Sequence, residues 1–461
     1  MSSSSFGSIN TALTALYAQR RGLDVTGQNI ANVNTEGYSR QRVDMQSLTG
    51  SISPAMFAKT AGVGAGVGIT DVQRMHDEFL EGRARNEHAT AAYLTDQSAT
   101  YKSIEDTFGE PADTALQAQL GDMWNAWNDV ANNPQDKATR STLLEQSATV
   151  AGGLNSAHTA LAGQWQQNRT QVAAYVTDVN TTADTVAQLN DTIVRATSGG
   201  LPVNELEDRR DQAVMHLSEL TGATASRRDN GVVDVIVGNS TLVSAFTTRK
   251  MELAGAVSMD TLATDPLTLR WADTKTPVAA GGTMGSMMDT MTAVIPHLSA
   301  ALDAIAGKLI TTVNTAHAAG FSADGSTGLN FFGGATAADI TVAITDPDQV
   351  ATSSGPATLD GMVATAMADV GTSTTGPDVD YRAMIGQLGV SAQASNQRGD
   401  IQATVTQQVD AARVATSGVN LDEEMTHMLT FQRGFEAASR VLTTVDSMLD
   451  QLINRTGLVG N

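Results

Sequence analysis

The sequence predicts a mainly α chain with a β insertion. Its domains are nested and discontinuous: paired N- and C-terminal helices, a helical-bundle body and a small outer β domain. Three observations carry this reading. Apolar residues recur every seven positions at both ends, interior stretches repeat an apolar face at helical spacing, and residues 223–282 switch to short alternating runs bounded by turns. The domains then divide as 1–40 with 418–461 (terminal helices), 41–222 with 283–417 (body) and 223–282 (β-rich outer domain).

In the first helix Ile9, Leu16, Leu23 and Ile30 fall seven apart, and Phe6 and Leu13 stand three before Ile9 and Leu16. This is one helical stripe, preceded by hydroxyls at Ser2 to Ser5 that suit an N-cap and broken by turn residues at Asn32, Asn34 and Gly37. The alternation GVGAGVG at 62–68 suits an extended segment, and 70–220 reads mostly as helix. Leu116, Leu120, Met123, Trp124 and Trp127 share one face there, and Val172, Val176, Val179, Val186, Leu189 and Ile193 another, which places both tryptophans in the core.

The runs 232–237 and 241–243 flank Gly238-Asn239 as a hairpin, and Leu267, Leu269 and Trp271 alternate as in a strand. Helix resumes after Gly281-Gly282 with Leu298, Leu302, Ile305, Leu309 and Val313 on one side. A strand follows at Ile340–Ile344, and a helix opened by GPDVDYRAMIGQL runs towards Thr416. The last helix is the most strongly patterned. Leu421, Met428, Phe435, Leu442 and Leu449 form one heptad row, and Glu424, Phe431, Ala438, Val445 and Leu452 form its neighbour, with Glu424 the single polar member. Asn420 serves as N-cap, and acids at 422–424 suit the positive end of the helix dipole. Met425, Leu429, Val441, Met448 and Ile453 widen the apolar face beyond what a two-helix seam uses, so the end helices are expected to bury against other subunits.

Composition narrows the function. Among 461 residues, 28 Lys and Arg stand against 49 Asp and Glu, a formal charge of −21. Residues 1–50 hold four Arg against three acids and 401–461 four Arg against seven, which leaves −19 for 51–400. No basic face offers itself to nucleic acid or to anionic lipid, and no stretch reads as a membrane span or a cleavable leader. With Cys 0, thiolate metal sites and Cys nucleophiles are excluded. The seven His include no pair three to five apart, GVGAGVG lacks Gly at the sixth position of a dinucleotide loop, and Leu309 follows Gly307-Lys308 where a phosphate loop needs Ser or Thr. Asp208, Arg209, Arg210 and Asp211 read as an ion-pair network within the bundle, with an intersubunit bridge as the alternative. No catalytic, cofactor-binding or metal residue is assigned, and the chain reads as a non-enzyme.

NIANVNTEGYSRQ, 29–41, resembles the signature of the bacterial flagellar rod, hook and hook-associated axial proteins, and 417–453 is similar to the terminal helix of the same family. The matching positions are Asn29, Asn32, Thr35, Gly37, Tyr38, Ser39, Arg40 and Gln41. Glu36 stands where the family often has Pro. The GYSRQ continuation and the blocks at 62–85, 206–220, 309–321 and 340–354 resemble the hook-associated branch. The resemblance implies a structural subunit joining hook to filament and needed for filament assembly, or alternatively another axial subunit: hook, distal rod or second junction protein. It implies partners as well: copies of itself in a ring, the hook subunit, a second junction protein towards the filament and an export chaperone. Export through the flagellar type III channel would place the protein outside the cell. The assembly surface would be Phe6, Ile9, Leu13, Leu16, Leu23 and Ile30 with Leu421, Met428, Phe431, Phe435, Leu442, Val445, Leu449 and Leu452.

Overall fold

The computed structural model describes residues 5–48, 64–356, 358 and 360–454, without the side chains of Ser5, Phe6, Leu452 and Asn454. The caps expected from Ser2 to Ser5 and the side chains of Phe6 and Leu452 therefore lie outside the described residues. Helix α1 (Ser5–Ala31) ends where the turn chemistry at Asn32 begins. It leads into an antiparallel hairpin of β1 (Gln41–Leu48) and β2 (Gly66–Arg74), with Gln41 opposite Arg74. Helix was expected from about residue 70, but β1 pairs with this stretch as far as Arg74 and holds it extended. Helix α2 (Glu78–Phe108) starts only where the Asp77 carboxylate accepts from the Phe79 and Leu80 amides at 2.9 and 3.1 Å.

The body contains α3 (Leu116–Asn132), α4 (Lys137–Ser198) and α5 (Asn204–Thr221). A single 62-residue helix, α4 would span about 93 Å at 1.5 Å per residue. Its apolar stripe, including Leu143, Leu154, Leu161, Trp165, Val172 and Val186, is fully buried. Its outer face is rich in threonine, and Thr142, Thr149, Thr170, Thr177, Thr181 and Thr185 each donate to the carbonyl four residues back. Such hydroxyls need no charged partner, so the surface can be polar with few charges.

The outer β region holds a four-stranded antiparallel sheet of β3 (Thr224–Arg227), β4 (Val233–Val237), β5 (Ser240–Ser244) and β6 (Thr247–Thr248). A separate pair is formed by β7 (Met251–Ala254) and β8 (Thr268–Trp271). Val233, Val235 and Val237 alternate inward, and Gly238 at φ +57 makes the tight turn. Two asparagines of α4 hold these sheets. Asn190 donates to the Val233 carbonyl at 2.8 Å and accepts from its amide at 3.1 Å, and Asn180 does the same for Met251 at 2.9 and 2.8 Å. Each carboxamide supplies the ladder partners that the strand backbone lacks at that residue, and Asn190 also donates to the Ala245 carbonyl where β4 and β5 part.

Helix α6 (Gly282–Asp289), a π-turn at Thr290–Val294 and α7 (Ile295–Ala319) form the central core helix. Gly282–Ala319 is long and apolar enough to cross a bilayer, at a mean hydropathy of 1.4, but Leu302, Leu309 and Val313 are fully enclosed by the bundle. The π-turn has a local cause. The Ile295 amide bonds to Thr290, and Pro296 has no N–H to offer, so the Met291 carbonyl instead accepts from the buried Trp165 indole at 2.9 Å.

Two small ladders follow, β9 (Phe321–Ser322) with β12 (Ala351–Ser353) and β10 (Phe332–Gly333) with β11 (Thr341–Val342). The expected strand at 340–344 is shortened to the two residues that pair with β10. Asn314 holds Phe332 by the same two-way amide contact, 2.8 Å each way. Helices α8 (Met362–Ala368), α9 (Pro377–Ser417) and α10 (Leu421–Asn454) complete the chain. Helix α9 runs back along α2, and α10 packs on α1. Both tryptophans expected in the core are there: Trp127 meets Phe331 at a centroid distance of 5.1 Å, and Trp124 donates to Asp378 at 2.8 Å.

Candidate functional site: the terminal helix pair and its joint

Helices α1 and α10 are antiparallel, because Gly22 lies beside Phe431, Gly434 beside Gln19, and Asn29 beside Glu424. The glycines permit the approach: a Cβ built on either would sit 2.7 Å from the facing side chain. The buried positions of the seam are small or polar. They are Ala12, Ala18, Gly22, Val25, Thr26 and Asn29 on α1, with Glu424 and Ala438 on α10.

The residues expected to form the assembly surface flank this seam. Ile9, Leu16, Leu23 and Ile30 are half-buried, as are Met428, Phe431, Leu442, Val445 and Leu449. Leu13 is exposed, and so are Leu421 and Phe435. Beyond them Met425, Leu429, Val441, Met448 and Ile453 present 49–75% of their surface to solvent. One chain thus leaves a long apolar side of α10 uncovered.

At the body end of the pair the signature residues form a buried polar joint. The Asn29 carboxamide uses every hydrogen-bonding position it has. Its Nδ2 donates to the Gln41 carbonyl at 2.9 Å and to Glu424 at 3.0 Å, while its Oδ1 accepts from the Gln41 amide at 3.0 Å and the Tyr38 hydroxyl at 2.8 Å. Arg40 reaches Glu424 at 2.7 Å and Glu423 at 2.8 Å, and its amide donates to the Ser417 carbonyl at 2.8 Å. Thr35 donates to Asn32, which itself closes the end of α1 on Gln28. Gly37 adopts φ +76 against Gln212, which lets the turn close, and Glu36 lies exposed in it. Burial, then the nearby Asp208 and Glu424 carboxylates, push the Tyr38 phenol up to about 12, so it stays a donor at physiological pH.

A second cluster binds the hairpin to the body. Arg74, at the end of β2, reaches Asp208 at 2.6 Å, Asp211 at 2.9 Å and Glu207 at 3.1 Å, all on α5. Burial opposes its charge, but Asp211, Glu207 and Asp208 more than offset that and raise its pKa above the ordinary arginine value. The Ser39 amide donates to the same Asp208 at 3.2 Å, and Asn204 donates to the Val72 carbonyl at 2.8 Å. Of the expected network, Asp208 and Asp211 pair within the chain with Arg74, 134 residues before Asp208 in sequence, and Arg210 is buried beside Glu207 and Asp211, while Arg209 is exposed outside it. Glu424 is an acid at a helix start and also the buried counter-charge of Arg40. Its polar intrusion in an apolar heptad row was the signal. Between α1, the hairpin and α10 a cavity of about 410 Å³ opens, lined by Val25, Val43, Met75, His427 and Phe431 among others. Among the described residues no group of three His, Cys, Asp or Glu side chains is placed to hold a metal ion.

A helix pair made from the N- and C-terminal segments, joined through a buried polar cluster to a helical body with a side β domain, is the architecture of an axial assembly subunit. The family model described as the flagellar hook-associated protein FlgK helical domain matches residues 101–332, more than half of the chain. Models of the flagellar basal body rod protein and of the FlgEFG C-terminal region match 9–38 and 411–455. The chain is 29% identical to flagellar hook-associated protein 1 of Bacillus subtilis over 99% of both chains. It is 22% identical to the protein of that name in Salmonella typhimurium, over 97% of this chain and 99% of the other. A solved structure of the flagellar hook junction protein FlgK from Burkholderia pseudomallei superposes with a TM-score of 0.62 at 15% identity. It covers 74% of this chain and 100% of that one, and shares its fold. The chain belongs to the FlgK family of flagellar hook-associated proteins.

Proposed function

We propose that this structural subunit joins the flagellar hook to the filament and is needed for filament assembly, acting outside the cell after export through the flagellar channel. The observation that carries the reading is the uncovered apolar side of α10, in a chain whose body matches the hook-associated family. Neighbouring copies in a ring desolvate that side, the hook subunit meets the ring from below, and a second junction protein follows towards the filament. A cytoplasmic chaperone would cover the same side before export. The domain division 1–40 with 418–461, 41–222 with 283–417, and 223–282 fits this scheme, with the terminal helices innermost and the β region outermost.

The alternative of a rod or hook subunit is favoured only by the ends. Relatives named FlgG and FlgC match 14% and 8% of the chain. Immunolabelling along the flagellum separates the two readings. Assembly is tested by Phe435→Asp, a residue with 37% of its surface exposed, so that the monomer tolerates the change. The variant body is expected to fold while the protein fails to add to isolated hooks. Cells should then carry hooks without filaments and shed filament subunits into the medium. Normal motility would overturn the interface assignment.

A further inference from the structure

We infer that Asn230 is a site of spontaneous covalent modification, its side-chain amide being converted to a carboxylate through the main chain at Gly231. The buried Arg210 then turns this surface change into a loss of stability. Asn230-Gly231 is the one place in the sequence where asparagine precedes glycine. The pair lies in the turn between β3 and β4, where Asn230 is exposed and Gly231 adopts φ +80 with its amide on the Arg228 carbonyl at 2.9 Å. Glycine has no Cβ to shield its nitrogen, which can therefore reach the Asn230 Cγ. The Val232 amide donates to Asn230 Oδ1 at 3.3 Å, where negative charge gathers as that carbon becomes tetrahedral. Hydroxide removes the Gly231 amide proton and the N–Cγ bond forms. The bond from Cγ to the side-chain nitrogen breaks, and ammonia leaves with a proton from water, which regenerates the hydroxide. Water then opens the cyclic imide at either carbonyl. One product is aspartate; the other is isoaspartate, whose main chain is one methylene longer. One water is consumed and one ammonia released for each residue converted.

The longer main chain matters because of what Gly231 touches. Its carbonyl accepts from Arg210 Nη1 at 2.8 Å. Arg210 is fully buried, and its other contacts are longer: Asn190 Oδ1 at 3.4 Å and the Glu207 and Asp211 carboxylates at 3.8 Å. Its Nε and Nη2 hold no hydrogen bond among the described residues. Isoaspartate draws the Gly231 carbonyl away from Nη1 and leaves a buried cation without a close acceptor, which destabilises the packing of β3 and β4 on α5. Aspartate keeps the main-chain length and places its charge at an exposed position, so the turn tolerates it. Asn239 also lies exposed in a tight turn, between β4 and β5, but there Ser240 carries a Cβ beside the attacking nitrogen. It serves as an internal reference. That a subunit held outside the cell accumulates the isoaspartate form with time rests on the junction reading above; the reaction itself does not.

The test is peptide mapping by mass spectrometry of the folded full-length protein, held in heavy-oxygen water in mildly acidic and in mildly alkaline buffer. Residue 230 should lose its amide and take up heavy oxygen about tenfold or more faster than residue 239, and faster at the higher pH. An amide at 230 as durable as that at 239 overturns the site. N230Q should resist conversion, since its longer side chain closes the ring less readily. The isoaspartate fraction, separated by chromatography, is then compared with fresh wild type and with N230D, which carries the same charge on an unlengthened main chain. Amide exchange across 224–237 should rise about tenfold in the isoaspartate form and stay near wild type in N230D. Equal exchange in the isoaspartate form and in N230D, whether both are raised or neither, overturns the role given to Arg210. Neither measurement involves a hook, so both outcomes are independent of where the subunit assembles.

Discussion

Gly22 faces the ring of Phe431 so closely that a Cβ there would lie 2.7–2.8 Å from three of its carbons. The antiparallel pair of chain ends exists at this spacing because one of the two residues has no side chain. Gly22→Val should therefore push the helices apart and cost about 1–3 kcal/mol, the usual range for overpacking. Calorimetry with circular dichroism would register this as a weakened low-temperature transition of the ends, with the body transition unmoved. A single unchanged transition would mean that the ring swings aside freely.

Arg74 bridges three carboxylates of α5 and is itself almost wholly buried. Arg74→Met should leave Glu207, Asp208 and Asp211 facing one another without that guanidinium, at a cost of about 3–5 kcal/mol. Urea unfolding should show the loss, and neutralising Asp208 as Asn in the same chain should restore part of it.

Asn190 supplies Val233 with both a donor and an acceptor in a fully buried setting. Asn190→Ala leaves a strand amide and carbonyl unpaired, for about 1–3 kcal/mol per group. Asn190→Asp should be worse, since a carboxylate cannot donate to the carbonyls of Val233 and Ala245. Equal stability of the two variants by thermal melts would contradict the strand-mimic role.

His88 joins α2 to Glu219 of α5 at 3.2 Å and Asp410 of α9 at 3.0 Å. The hydrogen bond to Glu219, only partly opposed by burial, and then Asp410 push its pKa up to about 9. A raised folded-state value means that this stabilisation is fully present below about pH 6.5 and is lost as pH rises through about 9. Solvent screening of the partly exposed triad limits it to about 1 kcal/mol. Denaturation midpoints between pH 6 and 10 should fall in wild type more steeply than in His88→Ala.

Heptad spacing, cap residues and the short alternating runs determined the helices, the β insertion and the family signature, because those signals are local and survive in a one-dimensional pattern. The stripe from Ile9 to Ile30 was legible in this way, and so was the whole of α10. The tertiary structure decided what each signal is for. The buried seam falls on Ala12, Ala18, Val25 and Ala438 with a polar end at Asn29 and Glu424, beside the apolar stripe, and glycine stands where the helices come closest, at Gly22 and Gly434. Asn29 and Glu424 are 395 residues apart, and Arg74 and Asp208 are 134 apart. Residue spacing along the chain does not reveal such pairs, since each member alone reads as a cap or a surface charge. Asparagines 29, 180, 190 and 314 each hold a backbone that would otherwise be left without partners, which no local pattern marks. The order of the elements was therefore written locally, and the joint between them was settled only when distant polar groups had to satisfy one another out of water.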